Sequence, residues 1–499
     1  METGDGATIA TRCGGRFLGM ARTSGCMAFR PLLYAVAVPQ HGYMPTTTTR
    51  LTPRTGRSTP PSPALTLTAA LLGFALITLD ASVVNVALPS IGHALGGGMS
   101  GLQWVVDAYT LSFAALMLST GAFADRAGAS RAYAIGVAVF TLASAACGLA
   151  PNLPTLIAAR VLQGVAAAVV LPASLSLVRQ AYPEPAKRAR AVATWAAGGS
   201  IAVALGPVAG GALTTAWDWR GIFFINLPLG AVALILLVRS PRSERRPAPL
   251  DLPGQVLAVV ALTAVTFAVI EGGTTGVAAS LIALVAGALF IRVELRQAHP
   301  VVPLGLFRSR TVSVAVAAGA ACSVAFYGVV FLFSLFFQQV QGRSALYAGL
   351  MFLPMAGLIS VTNVVSGKLA GRYGARLPML IGQLLAGAGA LGLLYVDERT
   401  PPLLVAVLLV PMALGCALTV PPLTAVMMDA VPAERAGLAA GVLNSARQVA
   451  GGLGIAVFGA LVSDGFTTGL RESLAISAAL FAVTASLSFR LSGRPANSP

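Results

Sequence analysis

The sequence predicts an all-α membrane protein with two parallel six-helix bundles and two extra helices inserted between them. Three observations lead to this prediction: an apolar composition, a series of membrane-length apolar runs, and a pair of motifs repeated between the halves. Hydrophobic residues make up 56% of the 499 residues and charged residues only 10%. About a quarter of a soluble chain is charged, so this composition excludes an ordinary soluble protein.

Fourteen apolar runs follow one another along the chain. About 20 apolar residues are enough to cross a bilayer as a helix, and each run has approximately this length. An even number of spans places both chain termini on the same side of the membrane. The predicted spans are 66–89, 102–123, 132–150, 155–179, 191–213, 220–238, 254–271, 276–292, 311–337, 345–366, 377–396, 402–427, 438–463 and 473–490.

These spans divide the chain into predicted regions. Residues 1–63 are rich in Arg, Thr, Pro, Ser and Gly, cannot build an apolar core, and are predicted to form a disordered basic tail. Residues 1–43 are either a real extension or precede the true start. The first six-helix bundle is predicted over 64–240, a linker with two inserted helices over 241–305, the second bundle over 306–491, and a short tail over 492–499.

The formal net charge of +16 comes mainly from basic residues in short loops between the spans. Loops that stay in the cytoplasm are enriched in Lys and Arg, so this pattern indicates topology rather than a nucleic-acid-binding face. Both termini are therefore predicted to be cytoplasmic. One set of loops carries Arg126, Arg131, Lys187, Arg188, Arg190, Arg239, Arg242, Arg245, Arg246, Arg292, Arg296, Arg308, Arg310, Lys368, Arg372, Arg376 and Arg435, and the opposite set carries Arg220, Arg343, Arg399 and Arg471.

Two motif pairs indicate an internal duplication. Residues 121–129 (GAFADRAGA) align with 367–375 (GKLAGRYGA), and 185–189 (PAKRA) align with 432–436 (PAERA), at nearly the same offset. Each pair falls in equivalent loops of the two halves. Parallel halves related by an axis along the membrane normal are the arrangement of major facilitator transporters.

Five segments, one of which contains the motif at 121–129, follow one another along the chain. They are 79–89 (LDASVVNVALP), 121–131 (GAFADRAGASR), 160–164 (RVLQG), 198–211 (GGSIAVALGPVAGG) and 217–228 (WDWRGIFFINLP). Together they resemble the motifs of the major facilitator superfamily, in its fourteen-helix branch of drug–proton antiporters. The sequence departs from the family pattern at Ser82, Phe123, Ala129, Ser130, Ala193 and Ala202.

The resemblance implies a multidrug efflux antiporter of the cytoplasmic membrane that confers antibiotic resistance. Its substrates are expected to be small, amphipathic and often cationic, and its energy source is expected to be the proton motive force. The expected partners are the lipid bilayer, substrate and protons, with no nucleic acid, and the chain is expected to act as a monomer.

Charges inside membrane spans are costly and indicate functional sites. At about 1.5 Å of rise per helical residue, Asp80, Asp107 and Arg160 fall at nearly the same depth in their spans. We therefore expect a buried network in which Asp80 or Asp107 binds the transported proton and Arg160 adjusts its proton affinity. A static structural ion pair is the alternative.

The other candidate site residues fall into three groups. Gly206, Pro207, Gly210 and Gly211 lie in an apolar span, where they indicate either a hinge and seal between moving helices or ordinary close helix packing. Gly121, Asp125, Arg126 and Gly128 form either a cytoplasmic latch or a solvated loop. The resemblance and the intramembrane positions suggest a substrate path that includes Asn85, Gln163, Asn226 and Arg447.

No catalytic or metal-binding pattern accompanies these motifs. Neither Lys187 nor Lys368 belongs to a phosphate-binding loop, and the cysteines and histidines have no metal-ligand or nucleophile spacing. The sequence therefore predicts no enzyme activity, no metal and no cofactor, with the proton gradient as energy source. A dedicated exporter of one metabolite or of a self-made antibiotic stays open, as does, less favoured, an integral membrane enzyme or sensor.

Overall fold

The computed structural model describes residues 62–238, 243, 251–297, 300, 302–431, 436–463 and 465–490. The predicted tails lie outside these residues, apart from Ser62 and Pro63. Most of the loop motif at 432–436 lies outside them as well.

Fourteen helices account for almost all of the described residues, as predicted from the apolar runs. Thirteen are individually long and apolar enough to cross a membrane, and α2 completes the set when its two bent parts count as one span. They are α1 (Pro63–Leu95), α2 (Gly98–Ala127), α3 (Ala129–Gly148), α4 (Leu153–Ala181), α5 (Pro185–Ala216), α6 (Gly221–Val238), α7 (Leu252–Glu271), α8 (Gly273–Glu294), α9 (Arg310–Val340), α10 (Ala345–Tyr373), α11 (Arg376–Leu393), α12 (Pro402–Asp429), α13 (Ala436–Ser463) and α14 (Phe466–Phe489).

The helix boundaries follow from local chemistry. Proline, which needs no backbone donor in a first helical turn, opens α1 at Pro63 and α5 at Pro185. The Asn152 side chain caps α4 by accepting a hydrogen bond from Thr155 N at 3.0 Å. Tight connections use glycine with positive φ, at Gly96 (74°) between α1 and α2 and at Gly128 (85°) between α2 and α3.

Because successive helices alternate in direction, the connections lie at two ends of the bundle. We call them the Gly96 end, where α1 joins α2, and the Gly128 end, where α2 joins α3. Among the described residues, the basic side chains concentrate at the Gly128 end, at Arg126, Arg131, Lys187, Arg188, Arg190, Arg292, Arg296, Arg308, Arg310, Lys368, Arg372 and Arg376.

The helices pack as two groups joined along two seams. In the first group α1 packs against α4, α5 and α6, and in the second α9 packs against α12, α13 and α14. The groups meet where α2 contacts α13 and where α5 contacts α10. The inserted hairpin, α7 and α8, covers the first seam because α7 contacts both α2 and α13. The predicted architecture is confirmed.

Candidate functional site

Asp80 and Arg160 form a fully buried ion pair between α1 and α4. Two amides complete the carboxylate shell: Gln163 Nε2 donates to Asp80 Oδ1 at 3.1 Å and Asn226 Nδ2 donates to the same oxygen at 2.8 Å. Arg160 Nε donates to Val105 O at 3.0 Å. Burying an ion pair requires additional hydrogen bonds of this kind, because desolvation otherwise exceeds the Coulombic gain.

The sequence positions these groups through helix periodicity. Residues three apart on a helix share a face, so Arg160 and Gln163 both point from α4 toward α1, and Arg160 Nη1 donates to Gln163 Oε1 at 3.0 Å. Asn226 reaches Asp80 from α6 and also donates to Ser144 Oγ at 3.0 Å. The Arg160 guanidinium stacks over the Tyr109 ring at 4.3 Å from its centroid. The network therefore ties five helices of the first half together, namely α1, α2, α3, α4 and α6.

Asp107 does not belong to this network. It is fully buried in α2, and neither carboxyl oxygen has a hydrogen-bond partner among the described residues. It faces the seam with α13, where a Cβ placed on Gly452 would lie 3.4 Å from Asp107 Oδ1. An ionised carboxylate without a partner is expensive to bury, whereas the neutral acid is much less so.

The glycine-proline segment of α5 lies between the two halves. Toward α1, a Cβ on Gly206 would lie 2.7 Å from Ser82 Cβ, and one on Gly210 would lie 2.6 Å from Val83 O. Toward α10, a Cβ on Gly211 would lie 2.7 Å from Leu346 Cα. These glycines permit backbone-to-backbone approach that no other residue allows.

Pro207 makes the matching contact from α5 to α10. A Cβ on Gly349 would lie 2.8 Å from the Pro207 carbonyl carbon, and Leu346 N donates to Thr215 Oγ1 at 3.1 Å. The two halves are therefore in close contact toward the Gly96 end. Ser334 Oγ adds a hydrogen bond to Asn85 O at 2.7 Å on the neighbouring α1–α9 contact.

The residues of the predicted latch lie at the Gly128 end. Asp125 and Arg126 are exposed, and neither side chain makes an ion pair or hydrogen bond with another described residue. Gly121 has open space where a side chain would be, and Gly128 supplies the positive φ of the turn.

A cavity of about 180 Å³ lies between the halves, on the Gly128 side of the contact between Pro207 and Gly349. Of the residues predicted for a substrate path, Arg447 lines it, whereas Asn85, Gln163 and Asn226 are buried elsewhere. Sequence reasoning missed Cys322, Ser323 and Asn363 as lining residues, because nothing in an apolar run marks which helix face meets a cavity.

The aromatic cluster of α9 divides between core and cavity. Phe331, Phe333 and Phe337 are fully buried in the core, and Phe326 and Tyr327 line the cavity. Phe326 and Tyr327 pack edge to face, with ring centroids 5.5 Å apart.

Comparison with known proteins identifies the family of this chain. The model of the Major Facilitator Superfamily matches residues 70–455, across both helix groups. The chain belongs to the major facilitator superfamily. It is a multi-pass membrane protein, and its relatives include proteins named for drug resistance.

This superfamily member is similar in sequence to two curated relatives and in fold to one solved structure. The chain is 41% identical to multidrug resistance protein Stp of Mycobacterium tuberculosis, over 82% of this chain and 78% of the relative. It is 38% identical to the methylenomycin A resistance protein of Streptomyces coelicolor, over 82% of this chain and 88% of the relative. A D-xylose–proton symporter shares the fold, with a TM-score of 0.65 at 15% identity over 86% of this chain and 98% of that one.

Proposed function

We propose that this transporter exports small amphipathic drugs or toxic compounds in exchange for protons by alternating access. It works as a monomer in the cytoplasmic membrane and contributes to antibiotic resistance. Relatives named for multidrug and methylenomycin A resistance support the export of drugs. The basic residues at the Gly128 end support a cytoplasmic location of that end and of both termini.

Asp107 carries the proposal of proton coupling. It is the buried carboxyl without a partner among the described residues, and it faces the α2–α13 seam rather than the interior of one half. In the closed seam the protonated acid is the less costly form. When the seam opens to water, hydration stabilises the carboxylate and the proton leaves. The seam motion and the proton are thus coupled through one side chain.

In the same proposal the Asp80–Arg160 pair has a structural role and does not carry the proton. Its carboxylate is already neutralised by the guanidinium and held by two amides. It keeps the first half rigid and holds Tyr109 and α2, the helix that carries Asp107, against α4.

The glycine-proline segment of α5 supports the alternating step. Its contact with α10 closes the bundle toward the Gly96 end, and the cavity lies on the other side of that contact. With the Gly128 end cytoplasmic, this is an arrangement that takes up substrate from the cell. Separation of α5 from α10 then opens the opposite side.

The test is efflux from energised cells of an efflux-deficient host that express the wild type, Asp107→Asn or Glu398→Gln. A panel of ethidium and antibiotics of several charges supplies the substrates. We expect wild-type efflux to stop when a protonophore is added, Asp107→Asn to lose it, and Glu398→Gln, an exposed control at the Gly96 end, to retain it.

Two outcomes would contradict the proposal. Wild-type efflux that persists with the protonophore would exclude proton coupling, and full efflux by Asp107→Asn would remove Asp107 from the coupling step. Efflux of one compound of the panel alone would indicate a dedicated exporter of a single metabolite.

A further inference from the structure

Among the described residues that line the cavity, Arg447 of α13 is the one charged side chain and none is acidic. Arg447 makes no ion pair with a described residue, and its Nε is buried without a hydrogen-bond partner among them. This differs from Arg160, whose charge is matched by Asp80. Two arginines at membrane depth thus have opposite surroundings.

The Arg447 stem is positioned by packing. It crosses α9 at Gly319, where an added Cβ would lie 3.1 Å from Arg447 Cγ. The absence of a side chain at Gly319 gives the stem room, and Arg447 contributes to the cavity wall. A guanidinium inside the helix bundle is costly when no described residue serves as its counter-ion, so the position calls for an anion from another source.

Further polar residues line the same cavity. Ser323 lines the cavity, is 2% exposed, and its hydroxyl has no hydrogen-bond partner among the described residues. Tyr327 and Asn363, which carry a hydroxyl and an amide, line the same cavity. A guanidinium with hydroxyl donors is suited to a carboxylate, because charge-assisted hydrogen bonds are about twice as strong as neutral ones.

We infer that this cavity binds the anionic group of the exported compound, with Arg447 as its counter-ion and Ser323 as a donor. The substrate class is a small amphipathic acid whose apolar part packs against Phe326. This inference deepens the proposed function and rests on it for the direction of transport. It differs from the cationic class that the family resemblance implied.

The test measures binding to purified protein in nanodiscs, without any gradient. Three radiolabelled probes share one skeleton and differ in charge: 3-phenylpropanoate, 3-phenylpropanamide and 3-phenylpropylammonium. We expect equilibrium dialysis to show the carboxylate binding at least about tenfold more tightly than the amide or the ammonium, since hydrogen bonds to a charged group are worth that ratio or more.

Variants link this preference to the cavity. Arg447→Gln should lose the tenfold preference for the carboxylate, Arg447→Lys should retain part of it, and Arg471→Gln, an exposed arginine of α14, should behave as the wild type. Melting temperatures of the three variants show that they are folded.

The binding position of the carboxylate is tested with two cysteines of the cavity wall, Cys322 and Cys416. The carboxylate should slow their modification by methyl methanethiosulfonate, measured by mass spectrometry. Cys147, buried between α3 and α4, serves as the internal reference, because Cys147 Sγ donates to Gln163 Oε1 at 3.1 Å away from the cavity.

Several outcomes would overturn the inference. They are no binding of the carboxylate, equal binding of the amide, tighter binding of the ammonium, and an unchanged preference in Arg447→Gln. Because binding needs no proton gradient, Asp107→Asn should bind the carboxylate as the wild type does. Failure of the inference therefore leaves the efflux experiment unaffected, and failure of proton coupling leaves this binding experiment unaffected.

Discussion

Asp80 and Asp107 are both fully buried carboxyl groups in membrane-spanning helices, yet their surroundings are opposite. Asp80 receives a guanidinium and two amide donors, whereas Asp107 has no partner among the described residues. A paired carboxylate is stable as an ion, and an unpaired one is stable when neutral. The same residue type therefore has a proposed structural role at one position and a proposed proton-carrying role at the other.

This difference predicts that substitution of Asp80 and of Asp107 affects the free energy of unfolding differently. Asp80→Asn should lower the free energy of unfolding by about 3–5 kcal/mol, because it leaves Arg160 as an uncompensated buried charge. Asp107→Asn should not lower it, because no bond is lost. Unfolding of both purified variants in the same detergent, followed by tryptophan fluorescence, measures the effect. Equal destabilisation by the two substitutions would show that Asp107 has a partner after all.

A second variant checks the cause. Adding Arg160→Gln to Asp80→Asn removes the uncompensated charge, and we expect it to recover part of the lost stability. Further loss in the double variant would mean that Arg160 stabilises the fold mainly through Val105 O and the Tyr109 ring.

At the scale of one helix, α5 packs against α1 of its own half and against α10 of the other half. Gly206 and Gly210 face α1, and Gly211 and Pro207 face α10. A helix with large side chains on both faces could not approach two backbones in this way. The two interpretations of these residues, close helix packing and a hinge, therefore both concern the contacts of α5 with α1 and with α10.

The α5 contact predicts a position-specific effect of one methyl group. Gly210→Ala should reduce transport and lower the free energy of unfolding by about 1–3 kcal/mol, because its Cβ would lie 2.6 Å from Val83 O. Gly357→Ala in α10 is the matched control, because nothing lies within 4 Å of a Cβ there. Efflux rate and melting temperature should separate the two variants. A harmless Gly210→Ala would show that α1 and α5 have room to separate.

At the scale of the whole molecule, the contact of α5 with α10 predicts a cross-link that blocks transport. Thr215 Oγ1 accepts a hydrogen bond from Leu346 N at 3.1 Å, so cysteines at both positions should form a disulfide that holds the Gly96 end closed. Transport by Thr215→Cys/Leu346→Cys should stop under oxidation and return with reductant.

The control for this cross-link lies inside one half. Gln383 Nε2 donates to Ser488 Oγ at 3.1 Å between α11 and α14, so Gln383→Cys/Ser488→Cys should cross-link without loss of transport. Continued transport by the oxidised Thr215→Cys/Leu346→Cys protein would mean that the α5–α10 contact does not separate during the cycle.

The charge asymmetry of the molecule predicts its orientation. In a background with the native cysteines replaced by serine, a membrane-impermeant maleimide should label Glu398→Cys at the Gly96 end in intact cells. It should label Arg372→Cys at the Gly128 end after permeabilisation only. The reverse pattern would place the Gly128 end outside the cell and would contradict the assignment from basic residues.

Sequence by itself determined the number and order of the membrane helices, because the backbone in hydrocarbon must satisfy its own hydrogen bonds and each span needs about 20 apolar residues. It also singled out Asp80, Asp107 and Arg160, since charge in an apolar run is rare and visible without coordinates. Gly206, Gly210 and Gly211 were also visible in the sequence, because small residues at close-packing spacing in an apolar run can be recognised without coordinates.

Tertiary structure alone decided which of these groups meet. Equal depth in the membrane suggested one network of Asp80, Asp107 and Arg160, but rotation about each helix axis sets the direction of a side chain, and depth does not contain that angle. Packing turns Asp80 toward Arg160 and Asp107 toward α13. It also places Arg447 at a cavity where no described residue is its counter-ion, because the wall of that cavity is assembled from five helices of both halves.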